Sequence, residues 1–102
     1  MGMIRHIVMC KFKEEAEGAD RATNLRKAKA LLDALPQRIG EIRDWEVGID
    51  CGYTSASFDL VLVATFADQE GLLAYQQHPE HVKVVEFLRS VHEMKTVVDY
   101  ER

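Results

Sequence analysis

The sequence lacks the features that mark membrane proteins and disulfide-stabilised proteins. No apolar run approaches the roughly 18 residues that a membrane-spanning helix needs. The segment from Met1 to His6 becomes polar too early for a secretory signal, whose apolar region is about 7 to 15 residues long. Only two cysteines occur, Cys10 and Cys51, and they do not have the spacing of metal ligands. We therefore expect a cytoplasmic protein with two free thiols and no membrane contact.

The chain also lacks a cluster of basic residues. Its 13 lysines and arginines are scattered among 17 aspartates and glutamates, which gives a net charge of −4. Binding to a phosphate backbone usually requires a basic patch, so this distribution argues against a nucleic-acid partner. An apolar share of 47% over 102 residues is typical of an ordinary globular protein. We expect a single domain spanning residues 1–102.

Four stretches have the composition of β-strands, and the faces of two of them are informative. Alternation in the first stretch places His6 on its more apolar face, with Val8 and Cys10. The third stretch is apolar on both faces, because Val61 and Val63 lie opposite a second apolar set. The four stretches are Met3–Phe12, Asp44–Asp50, Phe58–Phe66 and Met94–Tyr100. The polar segments 13–20 and 51–57, each containing a glycine, are predicted to be loops.

Two helical regions separate these strands. The first is predicted to start after the N-cap Asp20 and to end at Pro36. Its expected buried positions are Ala22, Leu25, Ala28, Leu32 and Leu35. The second starts after the N-cap Asp68 and must break before Pro79, which lacks an amide hydrogen and disfavours a helical conformation for the preceding residue.

The segment after the break carries a histidine on an apolar stripe. His81, Val84, Val85, Leu88 and His92 recur at helical spacings of three and four. His81 is therefore expected to point inward, near Tyr75 from the turn before the break. Such a pair is either an internal hydrogen-bonding arrangement or part of a pocket. His78, just before the proline, is expected to cap the helix or face solvent.

The order strand, helix, strand, strand, helix, strand predicts an α+β fold, the ferredoxin-like βαββαβ arrangement with a four-stranded antiparallel sheet. Both helical regions would lie on one face of the sheet. The other face would expose Ile7, Met9, Val61 and Val63, each worth about 1.5–3 kcal/mol when buried. We therefore expect a homodimer through the sheet faces, which forms a dimeric α/β barrel.

Four segments resemble the stress-responsive dimeric α/β barrel (Dabb) family. They are Ile4–Lys13, Phe58–Phe66, Ala74–His81 and Val97–Glu101, and the most specific part is Tyr75 together with His78-Pro79-Glu80-His81. The resemblance implies a ferredoxin-like protomer and an obligate dimer. A plant polyketide cyclase of this family closes a ring by aldol chemistry, with residues that match His81, Tyr75 and His6 here.

The resemblance implies a catalytic set of His81, Tyr75 and His6 in a small-molecule pocket between helices and sheet. Ring closure needs a base beside a carbonyl and a donor to the developing oxyanion, and His81 and Tyr75 suit these two roles. Residues 21–35 contain no aromatic side chain, whereas the cyclase lines its pocket with a tyrosine from the first helix. The substrate is therefore expected to differ, and no cofactor is expected.

Two other interpretations remain open. His6, His78, Glu80 and His81 could form a metal site, although Pro79 separates His78 from the helix proper. Alternatively, the protein is a non-catalytic dimeric module in which these side chains only fasten a hinge. A cavity of about 300 Å³ or more with convergent polar groups would favour a ligand site. A packed interior with His81 bonded to the backbone would favour the module.

Overall fold

The computed structural model describes residues 2–52 and 54–102. Met1, and Tyr53 within the predicted loop 51–57, lie outside this part of the chain. The described strands are β1 (Ile4–Phe12), β2 (Glu15–Ala16), β3 (Ala19–Asp20), β4 (Ile42–Ile49), β5 (Leu60–Phe66) and β6 (His92–Glu101). The helices are α1 (Arg21–Asp33), a 3₁₀ turn (Leu35–Gln37), α2 (Gln69–Gln77) and α3 (Pro79–Val91).

The main sheet has the strand order β4-β5-β1-β6, and every neighbouring pair is antiparallel. This order and the three helices confirm the predicted ferredoxin-like α+β fold. No helix in the described ranges is long and apolar enough to cross a membrane.

The two faces of β1 have the predicted characters. Ile4, Cys10 and Phe12 are buried against the helices, and His6 is buried beside them. The other face carries Ile7, whose neighbours across the sheet are Val63 on β5 and Val98 on β6. Large apolar side chains stay exposed on that face: Met9, Met94, Val98 and Tyr100. The protomer therefore has a helix-covered face and an uncovered, largely apolar face.

The segment before α1 departs from the prediction. Residues 13–20, expected to be a loop, contain the two-stranded β2–β3 hairpin, whose turn has Glu17 and Gly18 at positive φ. The expected burial of Ala22 is wrong, because Ala22 is exposed and Asn24 is buried instead. The Asn24 side-chain amide donates to the Ala16 carbonyl at 3.0 Å, so the hairpin fixes which face of α1 turns inward.

The break between α2 and α3 follows the local chemistry of its residues. His78 has an extended backbone (φ −65°, ψ 134°), as expected for a residue that precedes proline. Pro79 occupies the first turn of α3, where its missing N–H costs no hydrogen bond. The His78 Nδ1 atom accepts a hydrogen bond from the Glu80 amide at 3.1 Å. His78 is therefore an N-cap, one of the two roles predicted for it.

Candidate functional site

Tyr75 and His81 meet across this break. Tyr75 is on the last turn of α2 and His81 is on the first turn of α3, and their ring centroids are 4.3 Å apart. Neither helix alone could bring the rings together, because the extended backbone at His78 changes the chain direction between them. The predicted neighbourhood of these two side chains is therefore present.

The backbone determines the hydrogen position on His81. Its Nδ1 atom lies 3.1 Å from the carbonyl oxygen of Gln76. Since a carbonyl can only accept a hydrogen bond, Nδ1 must carry the hydrogen. Burial is the main cause that lowers the pKa of His81, so the neutral ring is favoured. In this neutral tautomer the Nε2 atom keeps its lone pair and can accept a proton.

Tyr75 is almost completely buried, with 1% of its surface exposed. Its ring packs against Phe66 at 4.9 Å and Trp45 at 6.0 Å between centroids. Burial raises the pKa of the Tyr75 hydroxyl well above its ordinary value, so the side chain stays protonated at neutral pH. It can therefore donate a hydrogen bond but does not act as a base.

His6 is held by a carboxylate that sequence reasoning missed. The antiparallel register of β1 and β6 sets Asp99 directly opposite His6, and the His6 Nδ1 atom contacts Asp99 Oδ1. The His6 ring also stands edge-on to Tyr75, with centroids 6.1 Å apart. Asp99 is near the end of a strand of mixed character, and only knowledge of the strand register could have assigned it to this site.

The predicted trio of His6, Tyr75 and His81 lines one cavity between helices and sheet, with a volume of about 110 Å³. Its walls are otherwise mainly apolar, with Cys10, Leu62 and Leu88 among them. Gln76 and Lys95 add polar groups that the sequence did not single out. The convergence of polar groups favours a ligand site. The small volume and the contact of His81 with the backbone favour the non-catalytic module.

The described residues form no group of three or more His, Cys, Asp or Glu side chains placed to hold a metal ion. His78 turns its Nδ1 atom to the Glu80 amide. The Glu80 carboxylate pairs instead with Arg38 at 3.1 Å and Lys83 at 3.2 Å. The side chains proposed as alternative metal ligands therefore have other partners.

Comparison with known proteins decides the family. The sequence model of the stress responsive A/B barrel domain, Dabb, matches residues 4–102. The chain belongs to the Dabb family. No curated protein matches it.

Solved structures share this Dabb fold over the whole chain. A dimeric ferredoxin-like protein of unknown function from Bacteroides fragilis NCTC 9343 is 29% identical, with a TM-score of 0.88 covering 100% of this chain and 98% of its own. A Dabb protein from Mesorhizobium loti is 26% identical, with a TM-score of 0.69 over 100% and 98% of the two chains. The hydroxynitrile lyase of Passiflora edulis is 21% identical, with a TM-score of 0.80 over 99% and 94%. At that identity the lyase supports the fold alone.

Proposed function

We propose that this Dabb protein binds a small molecule in the cavity beside Tyr75 and His81 and performs acid–base chemistry on it, of a cyclase or lyase type. The observation that carries the proposal is the protonation state and tautomer of the His81 ring. Its Nδ1–H is committed to the Gln76 carbonyl, and its lowered pKa keeps Nε2 unprotonated beside a mainly apolar cavity.

The three predicted side chains would then have separate roles. His81 would take a proton from a carbon next to a carbonyl, and the Tyr75 hydroxyl would donate to the oxygen on which negative charge develops. His6, oriented by Asp99, would support the Tyr75 side of the cavity. The fold itself is compatible with such activity, since one protein that shares it is named a hydroxynitrile lyase.

The size of the cavity limits the substrate. A closed, dry cavity of about 150 Å³ in another protein holds benzene, so a cavity of about 110 Å³ can enclose a short chain, or a single ring that extends partly through the accessible edge. The space does not suit a long linear polyketide. This agrees with the absence of an aromatic residue from α1, which already indicated a substrate different from that of the plant cyclase.

Hydrogen–deuterium exchange tests the base directly. We expect the protein to accelerate exchange at the methyl group of acetophenone in D₂O, followed by NMR, because removal of that proton is the step assigned to His81. His81→Gln should abolish the acceleration and Tyr75→Phe should reduce it by about tenfold or more. His78→Gln is the matched control, since His78 caps α3 and does not line the cavity. Equal exchange by wild type and His81→Gln would refute the base.

The second candidate is a non-catalytic module, favoured by the bond from His81 to the Gln76 carbonyl across the helix break. In that case His81→Gln would lower the melting temperature while acetophenone exchange would be no faster with wild type than without protein. The catalytic proposal predicts loss of exchange in a variant that still folds.

We also propose that the chain is a homodimer through the uncovered sheet face. The exposed Met9, Met94 and Val98 on that face support this assembly, as does the description of the Bacteroides fragilis structure as dimeric. An open cavity of about 460 Å³, lined by apolar groups that include Met9, Phe58 and Val61, adjoins the same face and would lie at the edge of the interface. A cytoplasmic location is proposed as well, because Cys10 and Cys51 are both free thiols.

A further inference from the structure

The described side chains that line the candidate cavity include a positive charge and no carboxylate. No aspartate or glutamate lines it, and Lys95 is the one lysine or arginine among its lining residues in the described chain. The other titratable side chains that face it are His6, Cys10, Tyr75 and His81. None of these four carries a negative charge near neutral pH, because burial raises the pKa of the Cys10 thiol and of the Tyr75 hydroxyl.

Lys95 is placed where a ligand could reach it. It lies on β6 directly opposite Cys10, on the sheet face that the helices cover. The β6 strand is at the edge of the sheet, and Lys95 and Val97 are exposed although their partners Cys10 and Val8 on β1 are buried or half-buried. The cavity therefore has a buried end at Tyr75 and an accessible edge at Lys95.

The ammonium group of Lys95 forms no ion pair among residues 2–52 and 54–102. The β6 strand carries three carboxylates. Asp99 and Glu101 share the face of Lys95, four and six residues along the strand and hence about 13 and 20 Å away at the backbone, and Glu93 lies two residues before Lys95 at the irregularity in the β1–β6 register. Asp99 contacts His6.

The field of Lys95 reaches the proposed base. Burial is the largest cause that lowers the pKa of His81, and the positive charge of Lys95 adds to it. The same charge acts on the Cys10 thiol, in opposition to the larger effect of burial. Lys95 therefore lines the cavity, and its positive charge also affects the pKa of two other side chains that line it.

We infer that the cavity takes a small carboxylate with an apolar body, and that Lys95 selects it by holding the carboxylate at the open edge. This inference rests on the proposal that the cavity is a ligand site. The apolar part of the ligand occupies the space between Leu62 and Leu88, and its anionic group remains at the strand edge near solvent. A carboxylate placed there would give Lys95 the ion-pair partner that the described residues do not provide.

Two nearly isosteric probes test the inference. Benzoate and benzamide share one ring and differ in charge, so their dissociation constants, measured by NMR titration at low ionic strength, isolate the contribution of the anion. We expect wild type to bind benzoate about three- to tenfold more tightly than benzamide, as for a partly exposed charge-assisted contact. The preference should decrease as salt is added, because the site is open to solvent.

Substitutions then assign the preference to one side chain. Lys95→Met keeps the length and removes the charge, so it should equalise the two probes without weakening benzamide. Lys95→Arg should retain the preference for benzoate. Lys83→Met is the matched control, because Lys83 is an exposed lysine of α3 that does not line the cavity, and it should bind both probes as wild type does.

The outcomes separate this inference from the function on which it rests. Equal binding of both probes by wild type, or a preference that survives in Lys95→Met, would overturn the role of Lys95 and leave the cavity as a neutral ligand site. Failure of wild type to bind either probe would overturn the ligand site itself, and the carboxylate inference with it.

Discussion

The rings of Tyr75 and His81 lie 4.3 Å apart although a break in the helix separates the two residues. The break is what makes the contact possible, since the extended backbone of His78 sets α3 at a new angle to α2. The same break leaves the Gln76 carbonyl available to the His81 ring. One proline thereby positions a buried hydroxyl beside an imidazole of fixed tautomer.

Removal of the partner of His6 should destabilise the fold. His6 is buried, and Asp99→Ala would leave its Nδ1–H without an acceptor, which costs about 1–3 kcal/mol of unfolding free energy. We expect the lower end of this range because the Asp99 side chain is 37% exposed and water can enter. Urea unfolding measures the change. The control Asp33→Ala removes an exposed ion pair with Lys29 and should change stability by less than about 1 kcal/mol; an equal loss in both variants would contradict the structural role of Asp99.

The pH dependence of stability should report the lowered pKa of His81. The unfolded chain protonates His81 at its ordinary pKa of about 6.5, whereas the folded chain resists protonation until a lower pH. Between these two values the unfolded state binds more protons, so stability falls as the pH falls. We expect wild type to lose more stability than His81→Gln between pH 7.5 and pH 5.5 in urea unfolding.

Every other ionisable side chain is common to wild type and His81→Gln, so the difference between the two curves reports His81 together with its repulsion by His6, Lys95 and His78. Parallel curves would show that burial does not disfavour the charged His81 ring. A difference of the opposite sign would indicate that the folded state stabilises imidazolium.

The two cysteines should differ in reactivity. Cys10 is 2% exposed and burial raises its thiol pKa, so little reactive thiolate forms near neutral pH. Cys51 is exposed. Iodoacetamide, with peptide mass spectrometry as readout, should therefore modify Cys51 at least about tenfold faster than Cys10 in the native protein and both at similar rates in urea. Fast native labelling of Cys10 would mean that the cavity opens readily.

The proposed sheet-to-sheet dimer should not tolerate a charge at its centre. Ile7 has apolar neighbours on both sides, Val63 and Val98, so a lysine there would be buried without a partner at a cost of several kcal/mol. Position 63 is a weaker test, because Val63 adjoins Glu46 across the sheet and a lysine could pair with it. Light scattering should show Ile7→Lys as a monomer or an unfolded chain.

Leu73→Lys controls for this experiment, since Leu73 is 53% exposed on α2. It should leave the mass that of a dimer. A dimeric mass for Ile7→Lys with unchanged stability would show that the interface lies on another surface. A monomeric wild type at micromolar concentration would refute the assembly.

Local sequence pattern was enough to predict the four strands of the main sheet, the two helical regions and their order, but not the β2–β3 hairpin. Strict alternation placed His6 on the covered face of β1, and the proline predicted the break, with helix capping as one of two roles expected for His78. These features depend on chemistry within a few residues of the chain, namely side-chain period, backbone restriction and hydrogen-bond capping. The burial of Asn24 was missed because it depends on contacts with the β2–β3 hairpin. The polar sequence of residues 13–20 gave no signal for those strands.

The residue pattern of the chain predicted the fold and the approach of Tyr75 to His81, and the resemblance to the Dabb family added His6 to that pair. Only the tertiary structure decided which side chains complete the site: Asp99 opposite His6, and Lys95 opposite Cys10. Both assignments follow from the register of β1 against β6, strands that are some 80 residues apart. A shift of one residue turns every side chain of a strand to the other face, and no local pattern in the mixed sequence of β6 specifies that choice.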